Sequence, residues 1–224
     1  MKKRLILLRH GQSLFNQKNR FTGWVDVPLS TQGIQEALEA GKTLKNIPID
    51  VAYSSSLIRA QTTLFLALSQ MHLQKTPIVQ HPKGAKEELW GKLHEDLDAL
   101  PIYFDARLNE RMYGNLQGLD KEETKQKFGP EKVHEWRRSY HSHPPEGESL
   151  EDTKNRALPY FIEEIEDKLT KNNVFVVAHG NSLRAILMYI ESLSEKEVVS
   201  LEIPTGKPLI YSFSAEKTYK KEAL

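Results

Sequence analysis

The chain has 224 residues, with 31 Lys and Arg against 30 Asp and Glu and a net charge of +1. A chain of this length buries roughly 70% of the surface it exposes when unfolded, enough for one sizeable core, so a single domain over 1–224 is expected. The balanced charge removes the simple electrostatic case for nucleic-acid binding. The absence of cysteine excludes disulfides, thiolate nucleophiles and Cys-based metal sites. No apolar run approaches the roughly 20 residues that a membrane span needs, and Leu5-Ile6-Leu7-Leu8 is too short for a secretory signal. The cytoplasm is the expected compartment.

In chain order, Leu5-Ile6-Leu7-Leu8 reads as a buried strand. Thr31 to Leu44 reads as a helix capped by Ser30 or Thr31, with apolar residues at helical spacing. Val51 to Ser54 is a second short strand, and Ser56 to about Met71 a second helix. Residues 72–105 read as an elaborated excursion containing an acidic helix-like piece over 86–100. Short helices follow at Glu122–Phe128 and Glu131–Tyr140, and Pro144-Pro145-Glu146-Gly147 is a turn. Ser149 opens a long helix, with Asp152 in the capping-box position. Val174 to Ala178 is the clearest buried strand, followed by a helix through Ile190 capped by Asn181 or Ser182. Leu209 to Phe213 is the last strand, and the charged tail from about 215 reads as a mobile end. Strands alternating with helices predict an α/β fold, three layers around a mostly parallel sheet.

In such sheets the ligand site lies beyond the carboxyl ends of the strands. His10 and His179 each follow a strand and each precede a glycine, which permits a sharp turn and close ligand approach. Gly180 and Asn181 open a helix, whose free N–H groups suit an anion. Arg9 and Arg59 fall at the same edge, and guanidinium groups grip phosphate oxygens bidentately. No His-x-x-x-His pair or aspartate cluster has metal-ligand spacing, so no metal is expected.

These residues carry a resemblance. Arg9-His10-Gly11 with His179-Gly180 is similar to the signature of the histidine phosphatase superfamily. Arg9 to Asn16, Asn19 to Trp24, Leu108 to Gly114, Trp136 to Ser139, Gly147 to Leu150, Ala178 to Arg184 and Pro204-Thr205-Gly206 resemble the cofactor-dependent phosphoglycerate mutases. The likeness covers nearly the whole chain outside about 72–105 and the tail. It departs at Gln12, Phe15 and Met112, where the family usually has glutamate, tryptophan and histidine.

The resemblance implies a phosphoglycerate mutase-like fold and interconversion of 3- and 2-phosphoglycerate, with 2,3-bisphosphoglycerate as primer. It implies that His10 carries the phosphoryl group, that His179, Arg9, Arg59 and Asn16 hold it, and that Glu110 is the general acid and base. Ser13, Thr22, Gly23, Arg111, Tyr113, Lys121, Arg137, Arg138, Gly180 and Asn181 would bind the rest of the ligand. Phosphoryl transfer independently requires an in-line nucleophile and dense positive charge. A bisphosphoglycerate mutase or a phosphatase of the same superfamily shares both histidines. The motifs at 108–121 and 136–138, with Ser13 and Thr22-Gly23, favour the glycolytic mutase over these and over a non-catalytic binding protein. Relatives include dimers, tetramers and monomers, which leaves the oligomeric state open.

Overall fold

The computed structural model describes residues 2–81, 84, 86–88 and 98–223. Leu5, Ile6, Leu7 and Leu8 are fully buried within β1 (Lys3–Arg9). Successive strand residues face opposite sides, so Leu5 and Leu7 pack with Phe161, Leu183 and Ile186 on one face. Ile6 and Leu8 pack with Leu44, Leu64 and Leu68 on the other. Each such aliphatic side chain contributes about 1.5–3 kcal/mol by burial, and a strand apolar on both faces belongs inside a sandwich of helices.

The remaining strands are β2 (Val51–Ser54), β3 (Thr76–Val79), β4 (Ala99–Phe104), β5 (Val174–Ala178), β6 (Pro208–Phe213) and β7 (Tyr219–Glu222). The sheet order is β3-β4-β2-β5-β1-β6-β7. The first five in that order run parallel, β6 is antiparallel to β1, and β7 is antiparallel to β6. The helices are α1 (Leu14–Gln17), α2 (Thr31–Thr43), α3 (Ile58–Leu68), α4 (Lys121–Phe128), α5 (Pro130–Arg138), α6 (Leu150–Tyr160), α7 (Asp167–Leu169), α8 (Gly180–Ile190) and α9 (Glu195–Ser200). A π-helical stretch, Phe161–Glu166, joins α6 to α7. Helices α2 and α3 cover one face of the sheet, and α6 and α8 the other. This is the expected three-layer α/β arrangement. Among the described residues no helix is long and apolar enough to cross a membrane.

Three expectations change. The excursion at 72–105 supplies two strands of the sheet: Thr76–Val79 pairs in parallel with Ala99–Ile102. Residues 99 and 100 of the expected helix-like piece are therefore strand, and 89–97 lie outside the described residues. The tail is not free either, because Tyr219–Glu222 pairs with β6. Tyr219 packs on Phe213 with ring centroids 5.1 Å apart and donates to the buried Glu166 carboxylate at 2.7 Å. Finally, the cap of α8 lies two or three residues earlier than expected. His179, with extended backbone, is its N-cap, and the Ser182 hydroxyl accepts from the His179 N–H at 3.2 Å.

The turn after β1 is held by an interlock of backbones. A Cβ on Gly33 would lie 2.0 Å from the Gln12 carbonyl oxygen, and one on Gly11 2.2 Å from the Gly33 carbonyl oxygen. Ser30 N–H donates to the Gln12 carbonyl at 2.8 Å, and Gln12 N–H donates to Glu36 at 2.8 Å. The first turn of α2 thus braces the segment that carries His10. Gly33→Ala is expected to destabilise the fold by about 1–3 kcal/mol through overpacking, despite alanine's better helix propensity. Urea unfolding measures this, and an unchanged midpoint would show that the turn can retreat.

Candidate active site

β1 and β5 are parallel neighbours with Arg9 opposite Ala178. The residues that follow, His10 and His179, therefore leave the same sheet edge side by side, with ring centroids 4.8 Å apart. His10 Nδ1 lies 2.7 Å from the Gly11 carbonyl oxygen. A carbonyl only accepts, so Nδ1 carries the proton and Nε2 keeps its lone pair. Burial first, then the charges of Arg59 and Arg9, hold the His10 pKa well below 6.5. His179 is held low in the same way, by burial and then by Arg59. Its Nε2 lies 2.6 Å from the Ser55 hydroxyl, which also accepts from Leu57 N–H at 3.2 Å, while its Nδ1 is buried with no partner in the protein.

Arg59, in the first turn of α3, is fully buried. It donates to the Gly23 carbonyl at 2.8 Å and the Val25 carbonyl at 3.0 Å. Gly23 has φ +53°, in the left-handed region that favours glycine. Burial brings the Arg59 pKa down to about 10, so it remains a cation at neutral pH. Arg9 donates to the Ile203 carbonyl at 2.7 Å. The Nε atoms of both arginines and Thr22 Oγ1 are buried without a protein partner. Unmet buried donors cost about 1–3 kcal/mol each, and an anion bound among them would relieve that cost.

Glu110 is fixed from several directions. Its Oε1 accepts from Arg111 N–H at 2.8 Å, Asn181 N–H at 3.1 Å and Asn181 Nδ2 at 2.7 Å; Oε2 takes none of these bonds. Its carbonyl accepts from Arg156 at 2.8 Å and Trp24 Nε1 at 2.5 Å. Arg156 in turn grips Glu148 through two 2.8 Å bonds. Burial pushes the Glu110 pKa up, but the Asn181 and Arg111 hydrogen bonds with Arg9 and Arg59 outweigh it and hold it below the usual carboxylate value. Glu110 is thus a carboxylate at rest, with one oxygen free to take a proton.

These groups line a cavity of about 210 Å³. Of the residues expected from the sequence, Arg9, His10, Asn16, Thr22, Gly23, Arg59, Glu110, Tyr113, Lys121, Arg137, Arg138, Gly180 and Asn181 line it. Three do not. His179 lies behind His10. Ser13 is fully buried and caps α1, its hydroxyl accepting from Asn16 N–H at 3.1 Å. Arg111 is buried too, donating to the Tyr113 hydroxyl at 2.9 Å and the Arg137 carbonyl at 3.2 Å. Sequence reasoning missed Arg20, Phe21, Arg184 and Glu202, which also line the cavity. Arg20, Phe21 and Arg184 sit inside the motifs already noted, and Glu202 follows no sequence signal. Seven basic side chains and two carboxylates face the cavity. Burial, then Arg137 and Arg9, bring the Lys121 pKa down to about 8. Among the described residues no group of three or more His, Cys, Asp or Glu side chains is arranged to hold a metal ion.

The histidine phosphatase superfamily (branch 1) matches this chain over residues 5–94 and 88–222. The chain is 51% identical over 219 residues to a 2,3-bisphosphoglycerate-dependent phosphoglycerate mutase of Chlamydia pneumoniae, covering 96% of each chain. It is 52% identical over 221 residues to 2,3-bisphosphoglycerate-dependent phosphoglycerate mutase 1 of Arabidopsis thaliana, covering 97% of this chain but only 66% of that longer relative. Among solved structures, Bacillus stearothermophilus YhfR superposes with a TM-score of 0.76 at 24% identity, covering 98% of this chain and 95% of that one. A mycobacterial glucosyl-3-phosphoglycerate phosphatase superposes with a TM-score of 0.75 at 22% identity, covering 99% and 98%. At those identities the likeness is one of fold.

The depressed histidine pKa values make stability depend on pH. Above 6.5, the ordinary histidine value, His10 and His179 are neutral whether folded or not. As pH falls below it, the unfolded chain binds protons that the folded site refuses, so stability is lost. The urea midpoint is expected to fall between about pH 7.5 and about pH 5, and to fall less in a His10→Gln, His179→Gln double variant. Equal losses in the two proteins would show that the acid sensitivity arises elsewhere.

Proposed function

The chain belongs to the 2,3-bisphosphoglycerate-dependent phosphoglycerate mutases of the histidine phosphatase superfamily, and from that premise we propose that it interconverts 3-phosphoglycerate and 2-phosphoglycerate through a phosphohistidine at His10. The observation that carries this reading is the free lone pair on His10 Nε2, set by the Nδ1 bond to Gly11. Imidazole attacks phosphorus only when neutral, and the flanking guanidinium groups both keep it so and neutralise the equatorial oxygens of the transferring group.

On the phosphorylated enzyme, Glu110 takes the proton from the C2 hydroxyl of 3-phosphoglycerate. The freed oxygen attacks phosphorus, and the N–P bond to His10 breaks. After the ligand turns, His10 Nε2 attacks the 3-phosphoryl group. The P–O bond to C3 breaks, and the leaving oxygen takes the proton back from Glu110. Protons and phosphoryl groups balance, and no water is consumed. 2,3-Bisphosphoglycerate, when bound, supplies the phosphoryl group that first loads His10.

The unpartnered donors of Arg9, Arg59 and Thr22 fit that ligand's inner phosphoryl group, with Asn16 and His179 beside them. Lys121, Arg137, Arg138, Asn181 and Tyr113 would receive its outer carboxylate and phosphate. Ser13 and Arg111 act one step back in this reading, Ser13 by aiming Asn16 and Arg111 by carrying Tyr113 and the end of α5. The protein would work in the cytoplasm on small-molecule phosphoglycerates.

An enolase-coupled assay with 3-phosphoglycerate tests the reading. Steady phosphate release without 2-phosphoglycerate would make the protein a phosphatase instead. His10→Ala is expected to abolish acid-labile phosphate incorporation from 2,3-bisphosphoglycerate, and undiminished labelling would move the nucleophile elsewhere. Glu110→Gln is expected to accept phosphate slowly and to lose about 10²–10⁴ in kcat; near-normal turnover would remove its proton-transfer role.

A further inference from the structure

Of the two carboxylates that line the cavity, Glu202 has no part in the chemistry above. Glu202 lies on a loop whose backbone is fixed on both sides. Arg184 Nε donates to the Leu201 carbonyl at 2.8 Å, and Arg9 donates to the Ile203 carbonyl at 2.7 Å. The loop therefore holds the Glu202 carboxylate at the mouth of the cavity. Its Oε1 lies 2.7 Å from Arg138 Nη2, and its Oε2 4.0 Å from Arg184 Nη2. The Glu202 side chain is 68% exposed and that of Arg184 12%. Neighbouring Arg137 and Lys121 form no ion pair among the described residues. The mouth is asymmetric: Arg137 and Lys121 stand open, while Arg138 and, at longer range, Arg184 already face an anion from the chain itself.

We propose that Glu202 is a specificity-determining residue, an internal carboxylate that competes with a ligand's second anionic group for Arg138. Glu202 already takes one nitrogen of the Arg138 fork, so an incoming phosphate or carboxylate there finds fewer of its donors and also meets the like charge of Glu202. Glu202 thereby weakens the outer grip on doubly anionic phosphate esters and leaves the inner site of Arg9, Arg59 and His10 untouched. The choice of a phosphoglycerate as that ligand rests on the function proposed above. The competition itself needs only an anion that reaches from the inner site to Arg138. Under the proposed isomerisation the bisphosphorylated species has to release its outer end in order to turn, and a built-in competitor favours that release.

Calorimetric titration of wild type, Glu202→Gln and Glu202→Ala at fixed ionic strength tests the proposal. The probes are inorganic phosphate, pyrophosphate, 3-phosphoglycerate and 2,3-bisphosphoglycerate. Both variants are expected to bind pyrophosphate and 2,3-bisphosphoglycerate about 3- to 10-fold more tightly, with inorganic phosphate changed by less than about twofold. The gain is expected to vanish when Arg138→Gln is also present. Unchanged or weaker binding of both diphosphorylated probes would overturn the proposal, as would a gain equal for inorganic phosphate or one that survives Arg138→Gln. Failure of the mutase reading looks different: the enolase-coupled assay of wild type would yield no 2-phosphoglycerate, while pyrophosphate binding still reports on Glu202.

Discussion

A guanidinium with no exposed surface and, among the described residues, no ion pair to a carboxylate is the constraint on which the rest of the site depends. Arg59 is held by two backbone carbonyls, which satisfy donors but do not cancel its charge. Desolvating a cation is expensive, and its pKa is drawn down to about 10, yet the charge survives at neutral pH. That surviving charge does three things. It adds to burial in keeping His10 and His179 neutral, as the proposed attack by His10 requires. It helps keep Glu110 ionised despite burial. It also tethers the segment from Gly23 to Val25, whose Gly23 lines the cavity. The protein thus sacrifices local stability to hold a positive field where an anion is to bind, the usual trade at a preorganised electrostatic site.

The strand order turns this constraint into a site. His10, Arg59 and His179 are far apart in the chain, and each follows a different strand. Only because β2, β5 and β1 are successive parallel neighbours do all three emerge at one edge. The two His-Gly pairs were legible because buried strands in α/β proteins read as continuous apolar runs, as β1 and β5 do. Ser55 was not singled out. Its meeting with His179 depends on β2 lying beside β5 in a register that sets Ser54 opposite Val177, and pairing partners are not written in local sequence. The short β3 and β4 were hidden for another reason. Each contains a proline, which argues against strand when read locally, but β3 lies at the sheet edge, where proline is tolerated. The tail was misread because charge suggested a solvated end, while Tyr219 packs on Phe213 and bonds Glu166, and Glu222 pairs with Arg4.

Within the site, legibility followed the chemistry of motifs. Most of the residues expected at the site line the cavity, but Arg20, Phe21 and Arg184, inside the same motif runs, were passed over. The misplaced ones share a cause. Ser13 and Arg111 are polar residues beside pocket residues, and sequence adjacency cannot distinguish a side chain that touches a ligand from one that supports the side chain that does. Arg184 was passed over although it lies three residues after Asn181, on the same face of α8 by helical spacing, and it bonds Asn181 Oδ1 at 3.2 Å. The assignment of the helix cap to Asn181 or Ser182 followed cap preference, whereas the sharp exit from β5 makes His179 itself the cap.

The cavity is built in two grades of rigidity, and the difference follows from where each half comes from. The inner half stands on strand ends, an interlocked pair of glycine backbones, and arginines tied to carbonyls; little in it can move without breaking buried hydrogen bonds. The outer half stands on Lys121 at the start of α4, on Arg137 and Arg138 at the last turn of α5, and on an exposed ion pair to Glu202. Exposed pairs are worth about 0–1 kcal/mol and exchange partners readily. A net charge of +1 over the whole chain conceals this gradient, because the excess of positive charge is gathered at one cavity and offset elsewhere. A tight inner grip and a loose outer one is what phosphoryl transfer between two positions of one small molecule requires. In the proposed route each phosphoryl group must be held in line with His10 only while it transfers, and between the two transfers the whole ligand must turn so that its other phosphoryl group takes that place.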